Sequence, residues 1–375
     1  MIGNAVYEES PFETVPGAGS YGMNVGVGNG NVLPGNNTAE ADVLHLRRPQ
    51  LGLPLPFFFT RDTGVALPTA ALPYNDMRIN FKFRNWNKLL LVDEVPTSNP
   101  EGDVKTRHAT KADFSVCESN GISASFSTKE PVLTNVQVWA NYAIVSNDER
   151  KRMACAPRDM LIEQSQVGSS ASGYEILNGS DFNPSFNLHF SHSVKALFFG
   201  LRNVTPHPVQ SVSPVDLSYY STLCPGVSNK TGTVMPYYGK VSGQYNPVAN
   251  ASLIYENTNR LHQLNSGYYS LVQPFYHATG SDSNNPGMHM YSYSLDMLSL
   301  DPLGSTNYGK ITNVSLVLQL SNLATKALSA DTSNVNVGFG SNGALTIPQK
   351  YEFVCTAVNN NIVRISGGAL GFPVL

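Results

Sequence analysis

MRINFKFR, residues 77–84, alternates strictly between apolar and polar side chains. Met77, Ile79, Phe81 and Phe83 fall on one side and Arg78, Asn80, Lys82 and Arg84 on the other, the period of two that belongs to a half-buried strand rather than a helix. Strand-like runs recur further along, at 136–145, 160–167, 186–190, 194–202, 314–320, 351–358 and 362–365, with Gly, Pro and Asn between them. In VSLVLQL, residues 314–320, Val314, Leu316, Leu318 and Leu320 share a face. Fully burying each such side chain is worth ~1.5–3 kcal/mol, so these faces must close over a common core. Many short strands without helical periodicity predict an all-β protein, an antiparallel sandwich or jelly roll.

Outside these runs the chain divides by composition. Residues 1–50 carry recurrent glycines and no periodicity, and are expected to be loop-like. LPLPFFF, residues 53–59, is too proline-rich for a helix and too apolar for an exposed linker, so it should pack against something. The turn-rich stretch 96–102 marks the expected domain boundary, giving a first domain over 1–95 and a second over 96–375.

Composition narrows the function. Charged residues are 14% of the chain, against roughly 25% in an average soluble domain, while Tyr and Phe number 18 and 17. That balance suits surfaces that end up against neighbours. A net charge of −3 gives no footprint for gripping phosphates, so direct nucleic-acid binding is not expected. Arg150, Lys151 and Arg152, following Asp148 and Glu149, read as one solvated helical turn. No run of 18 apolar residues and no leader pattern is present, which predicts a soluble chain without a transmembrane segment. Cys117, Cys155, Cys224 and Cys355 are too dispersed for a zinc knuckle or a disulfide framework and are expected to stay reduced. The N-x-S/T sequons at Asn36, Asn178, Asn203, Asn229, Asn250 and Asn313 are expected to be bystanders.

Candidate chemistry fails on context. Gly17–Gly22 spells G-x-G-x-x-G without the strand and helix that a dinucleotide site needs. Gly168–Gly173 misses the nucleophile-elbow spacing by one residue. His189 and His192, three apart on a strand, would point to opposite faces and could not share a metal. Asp148 and Glu149 lack the apolar pocket that would split their pKa values. Tyr268, Tyr269, Tyr291 and Tyr293 could stack on sugars, which keeps a jelly-roll carbohydrate-binding module as the alternative function. No catalytic, cofactor-binding or metal-binding residue is assigned, and no enzymatic activity is expected.

The segment LPLPFFFTRDTGVALPTAALPYNDMRINFKF, residues 53–83, resembles the major capsid proteins of iridoviruses, within the nucleocytoplasmic large DNA viruses. The likeness continues through VWANYAIVSNDERKRM, RDMLIEQSQV and FSHSVKALFFGLRNVT, then through SLIYENTNRLHQLNSGYYSLVQPFYHA, YSYSLDMLSLDPLGSTNYGKITNVSL and the terminal NNNIVRISGGALGFPVL. The resemblance implies a double jelly roll, a homotrimer of pseudo-hexagonal outline that tiles an icosahedral shell, contacts with minor capsid proteins, and assembly in the host cytoplasm into the virion capsid. By the same comparison most of the first jelly roll is expected to be missing. Residues 53–92 would supply its closing strands, leaving Phe57, Phe58 and Phe59 as an exposed, sticky patch.

Overall fold

The computed structural model describes residues 53–74, 77–89, 91–94, 105–108, 116–119, 124–127, 132, 136–168, 176–177, 183–205, 220–222, 246–279, 286–329 and 349–372. They fall into two compact units, one within Met1–Pro56 and Ile79–Ile144, the other within Phe57–Arg78, Val145–Pro208 and Val212–Leu375. In the first unit, strands β1 (Leu91–Glu94) and β2 (Lys105–His108) pair antiparallel, as do β3 (Val116–Ser119) and β4 (Ala124–Ser127).

The second unit holds the longer strands: β5 (Arg158–Gly168), β6 (Ile176–Leu177), β7 (Ser185–Asn187), β8 (Ser193–Asn203), β9 (Val248–Tyr255), β10 (Thr258–Asn265), β11 (His289–Ser292), β12 (Thr306–Asn307), β13 (Val314–Leu320), β14 (Tyr351–Ser366) and β15 (Ala369–Gly371). One sheet runs β10-β9-β13-β7; the other is built on β5-β14-β8-β11, with β6, β12 and β15 as short additions. All pairings are antiparallel. The chain changes sheet at every step between these eight main strands except in the β9–β10 hairpin. That winding is a jelly roll, and the expected all-β class is borne out.

The core lies between the sheets. Phe186, Leu253, Leu316, Leu318 and Leu320 come from one, and Leu197, Phe199, Leu201, Tyr351, Phe353 and Ala357 from the other. Phe186 and Phe353 stack face to face across the gap at a centroid distance of 3.9 Å. The alternation in β13 does what its sequence dictates: Val314, Leu316, Leu318 and Leu320 are buried while Gln319 points to solvent.

Two turns fix register. The β14–β15 hairpin turns on Gly367 and Gly368, both at positive φ, as the twist of a two-residue hairpin demands. A Cβ on Gly368 would sit 2.7 Å from the Tyr74 ring. Glu256 and Asn257 take the same left-handed pair of conformations between β9 and β10.

Three expectations need correction. Residues 77–84 carry no strand and pair with none among the described residues, and Met77, Phe81 and Phe83 are exposed. Residues 136–145 likewise carry no strand, with Trp139 at 88% and Ile144 at 94% exposure. Alternation creates a strand only where a partner ladder exists, and the period alone does not supply one. Phe57–Phe59 is also not an orphaned strand. Phe58–Arg61 forms a single helical turn, and Phe58 packs on a second small cluster made of Ala71, Ile162, Val363 and Ile365.

Candidate functional site

The sandwich encloses groups of buried polar side chains. Between Val358 and Asn359 the β14 register with β8 slips by one, so that Ala196 and Val194 are paired and Lys195 is the extra residue. This bulge turns the fully buried Lys195 toward Glu163 on β5, whose carboxylate it contacts along with the Ser299 carbonyl. The other oxygen of Glu163 accepts from Arg61, which also donates to the Leu298 carbonyl at 3.1 Å. Burial, reinforced by the nearby Arg61 charge, pushes the Lys195 ammonium down to about 8. The three side chains clasp the 57–78 segment to the sheet.

A second buried group joins Ser266, His289 and Asn246. The Ser266 hydroxyl lies 2.7 Å from His289 Nε2, and the Asn246 amide donates to that same hydroxyl and to the Pro286 carbonyl at 2.8 Å. The trio resembles a nucleophile and its base. It is sealed, however: His289 is 2% exposed and its ring stacks on Phe199. Burial lowers its pKa to about 4, against a smaller opposing pull from the Phe199 backbone. A hydroxyl that no substrate can reach does structural work, filling the hydrogen-bonding needs of a polar pocket in the core.

The tyrosines settle the sugar-stacking idea. Tyr269 is buried with its hydroxyl donating to the Ala251 carbonyl at 3.1 Å, and Tyr268, Tyr291 and Tyr293 pack against the core. The hydroxyls of Tyr255, Tyr293 and Tyr308 form a chain, with Tyr293 and Tyr308 at 2.7 Å. Burial raises all three phenols, Tyr293 and Tyr308 well above their usual range. The faces of these tyrosines pack in or against the core instead of forming an open stacking platform for a glycan.

The remaining candidates are scattered. His189 and His192 are exposed, and His192 sits at positive φ in the turn before β8. Asp148 and Glu149 lie in the first turn of the helix Asn147–Cys155, where Ser146 caps the Glu149 amide at 3.3 Å, as the charge run predicted. Glu149 reaches Arg158 at 3.7 Å and Arg152 at 3.9 Å. Gly17–Gly22 lies outside the described residues, as does Gly168–Gly173 beyond Gly168 itself. Cys355 is buried, which pushes its thiol pKa up, and Cys155 is exposed. The sequon at Asn203 is closed to modification: its buried amide donates to Gln349 Oε1 at 2.9 Å and to the Ser221 carbonyl at 3.2 Å. Among the described residues no helix is long and apolar enough to cross a membrane.

Among the described residues no reactive set converges on an open cleft, and the surface becomes the candidate. Residues 149–371, the span that includes the whole jelly roll, match the family described as large eukaryotic DNA virus major capsid protein, and residues 23–145 match the major capsid protein N-terminus. The chain belongs to this capsid family. It is a structural protein of the virion. The major capsid protein of Costelytra zealandica iridescent virus is 46% identical over 365 residues, covering 96% of this chain and 70% of that protein. That of Invertebrate iridescent virus 6 is 44% identical over 364 residues, covering 96% and 70%. That of Rana tigrina ranavirus is 37% identical over 375 residues, covering 99% and 72%. The iridovirus resemblance seen in the sequence therefore holds along nearly the whole capsid chain. Among solved structures, the PBCV-1 virus capsid aligns with a TM-score of 0.41 and 21% identity, covering 62% of this chain and 55% of that one. That likeness is too partial to add to the topology.

Proposed function

We propose that this major capsid protein works as a homotrimer, three copies forming a capsomer of pseudo-hexagonal outline that tiles an icosahedral shell. The observation that carries this reading is the complete jelly roll within a segment matched end to end by the capsid family model. Its mechanism is geometric. A rigid sandwich presents edges and loops to its neighbours, and repeated weak contacts add up over a closed lattice. The subunit performs no catalysis and needs no cofactor or metal. It makes no direct grip on nucleic acid, meets minor capsid proteins within the shell, and assembles in the host cytoplasm.

In this reading the chain carries the tail of one sandwich followed by a second, complete one. The composition break at 95–96 is one candidate for their boundary. The two family matches, which meet between 145 and 149, and the parting of the compact units between Ile144 and Val145 favour a later one.

Light scattering on the purified chain tests the oligomer. The expected mass is three times 40.6 kDa, about 120 kDa, unchanged over a tenfold dilution. A 40.6 kDa species at every concentration would overturn the trimer.

A further inference from the structure

One face of the jelly roll is built unlike a solvated surface. Between β10 and β11 the chain makes a π-helical turn, Tyr268–Val272, that runs directly into the helix Gln273–His277. Its inner side is fixed: Tyr269, Ser270 and Gln273 are buried, Gln273 donates to the Tyr268 hydroxyl at 2.7 Å and accepts from the Ser292 amide at 3.0 Å. Its outer side presents Leu271 at 45%, Val272 at 42%, Phe275 at 69% and Tyr276 at 71% exposure. The neighbouring loop extends the same surface, since the Leu295 carbonyl lies 2.9 Å from His277 Nδ1 and Leu295 is 74% exposed.

Residues 266–278 contain no Lys, Arg, Asp or Glu. At ordinary side-chain areas those five exposures leave roughly 600 Å² of apolar surface in the open, the upper end of what a monomer shows. A stable protein pair buries about 800 Å² on each side, so the patch amounts to most of one half of an interface. Aromatic residues, no charge and a rigid support are the marks of an interface core. A π turn is a rarely used conformation that tends to persist where it aims side chains at a function.

We infer that Leu271, Val272, Phe275, Tyr276 and Leu295 form a contact with a second copy of this chain. The choice of occupant rests on the shell-subunit reading above, in which copies of this chain are the most numerous neighbours; a helical face without charge over residues 266–278 also calls for an apolar one opposite, and charged residues are only 14% of this chain.

The test combines mutation with cross-linking on the full chain. Phe275→Asp and, from a separate element, Leu295→Asp should each weaken self-association at least tenfold by light scattering while leaving the thermal midpoint within about 2 °C, because both side chains lie outside the core. Tyr276→p-benzoylphenylalanine, irradiated in a mixture of ¹⁴N- and ¹⁵N-labelled chains, should give cross-links that join the two isotopes. Assembly of both aspartate variants as tightly as wild type would overturn this surface while leaving the capsomer reading intact. Cross-links confined to one isotope, as when another segment of the same chain covers the patch, would do the same. A wild-type chain that stays monomeric at all concentrations would overturn both.

Discussion

Replacing Glu163 by Gln tests whether the clasp beneath the bulge holds the sandwich to its preceding segment. Glu163 is 6% exposed and receives two cations, Lys195 at 0% and Arg61 at 34% exposure. Gln keeps the shape and one acceptor oxygen but removes the only carboxylate in contact with Lys195 among the described residues. Lys195 would then have to remain charged in a dry site or release its proton, and removing one partner of a buried pair costs ~3–5 kcal/mol. Because Arg61 can turn toward water and the amide still accepts a hydrogen bond, the lower end, about 3 kcal/mol, is expected. For a domain of roughly 200 residues that corresponds to a fall of ~6–12 °C in thermal midpoint. Differential scanning calorimetry of the full chain reads it directly. The double variant Glu163→Leu with Lys195→Met replaces both charges with apolar groups and should recover to within ~1 kcal/mol of wild type. A loss below ~1 kcal/mol in Glu163→Gln, or a double variant as unstable as the sum of the single ones, would refute the argument.

Further expectations follow from other parts of the core. Phe353→Ala removes one ring of the stacked pair that joins the sheets and should cost ~3–5 kcal/mol in urea unfolding. Tyr293→Phe deletes the hydroxyl between Tyr255 and Tyr308 and should cost about 1–2 kcal/mol, since it leaves buried hydroxyls short of a partner. His289 has a folded pKa of about 4, below the ~6.5 of an unfolded chain, so the unfolded state takes up its proton first. The stability it contributes is therefore complete above pH ~6.5 and is lost as pH falls toward 4, by about 3 kcal/mol in total. In His289→Gln, chemical unfolding across that window should show a flatter slope than wild type. Gly368→Ala forces a Cβ against Tyr74 at a positive φ, and should lower the thermal midpoint by several degrees and speed proteolysis near the β14–β15 hairpin.

The sandwich was legible where apolar side chains alternate on a strand with neighbours on both sides. β13 was read residue for residue, and β5 and β8 nearly so, because the inward positions of β8 and β13 carry Leu, Phe and Val and β5 carries the apolar run Met160–Ile162. β14 was broken into two at Asn359, Asn360 and Asn361, which read as a turn. It runs through as one strand, in which Gln166 donates to Asn359 at 2.9 Å and Asn361 donates to Gln164 at 3.0 Å, so amides on β5 meet two of the three on β14, while the buried Asn360 side-chain amide makes no hydrogen bond among the described residues. β9 and β10 carried no clean period. Asn250 and Ser252 interrupt β9 and are bound by Gln319 and by the Gln263 amide, while β10 is an edge strand that is exposed along most of its length. Conversely, 77–84 and 136–145 alternate well and form no strand, since the pairing partner is not written in the period. The buried groups around Glu163 and His289 were illegible because residues more than a hundred positions apart, or on separate strands, meet only after the sheets close. The apolar helix face was visible only as residues of a family resemblance, and its exposure needed the fold.

As a major capsid protein, this chain should be the principal building block of a virus shell. Quantitative mass spectrometry of purified particles, with surface-exposed peptides marked by brief proteolysis before disassembly, tests it most directly. This chain should be the most abundant polypeptide of the particle, and its peptides should be among those released from the surface. Its absence from the particles, or its presence only in trace amounts beside another, more abundant shell protein, would rule out that role.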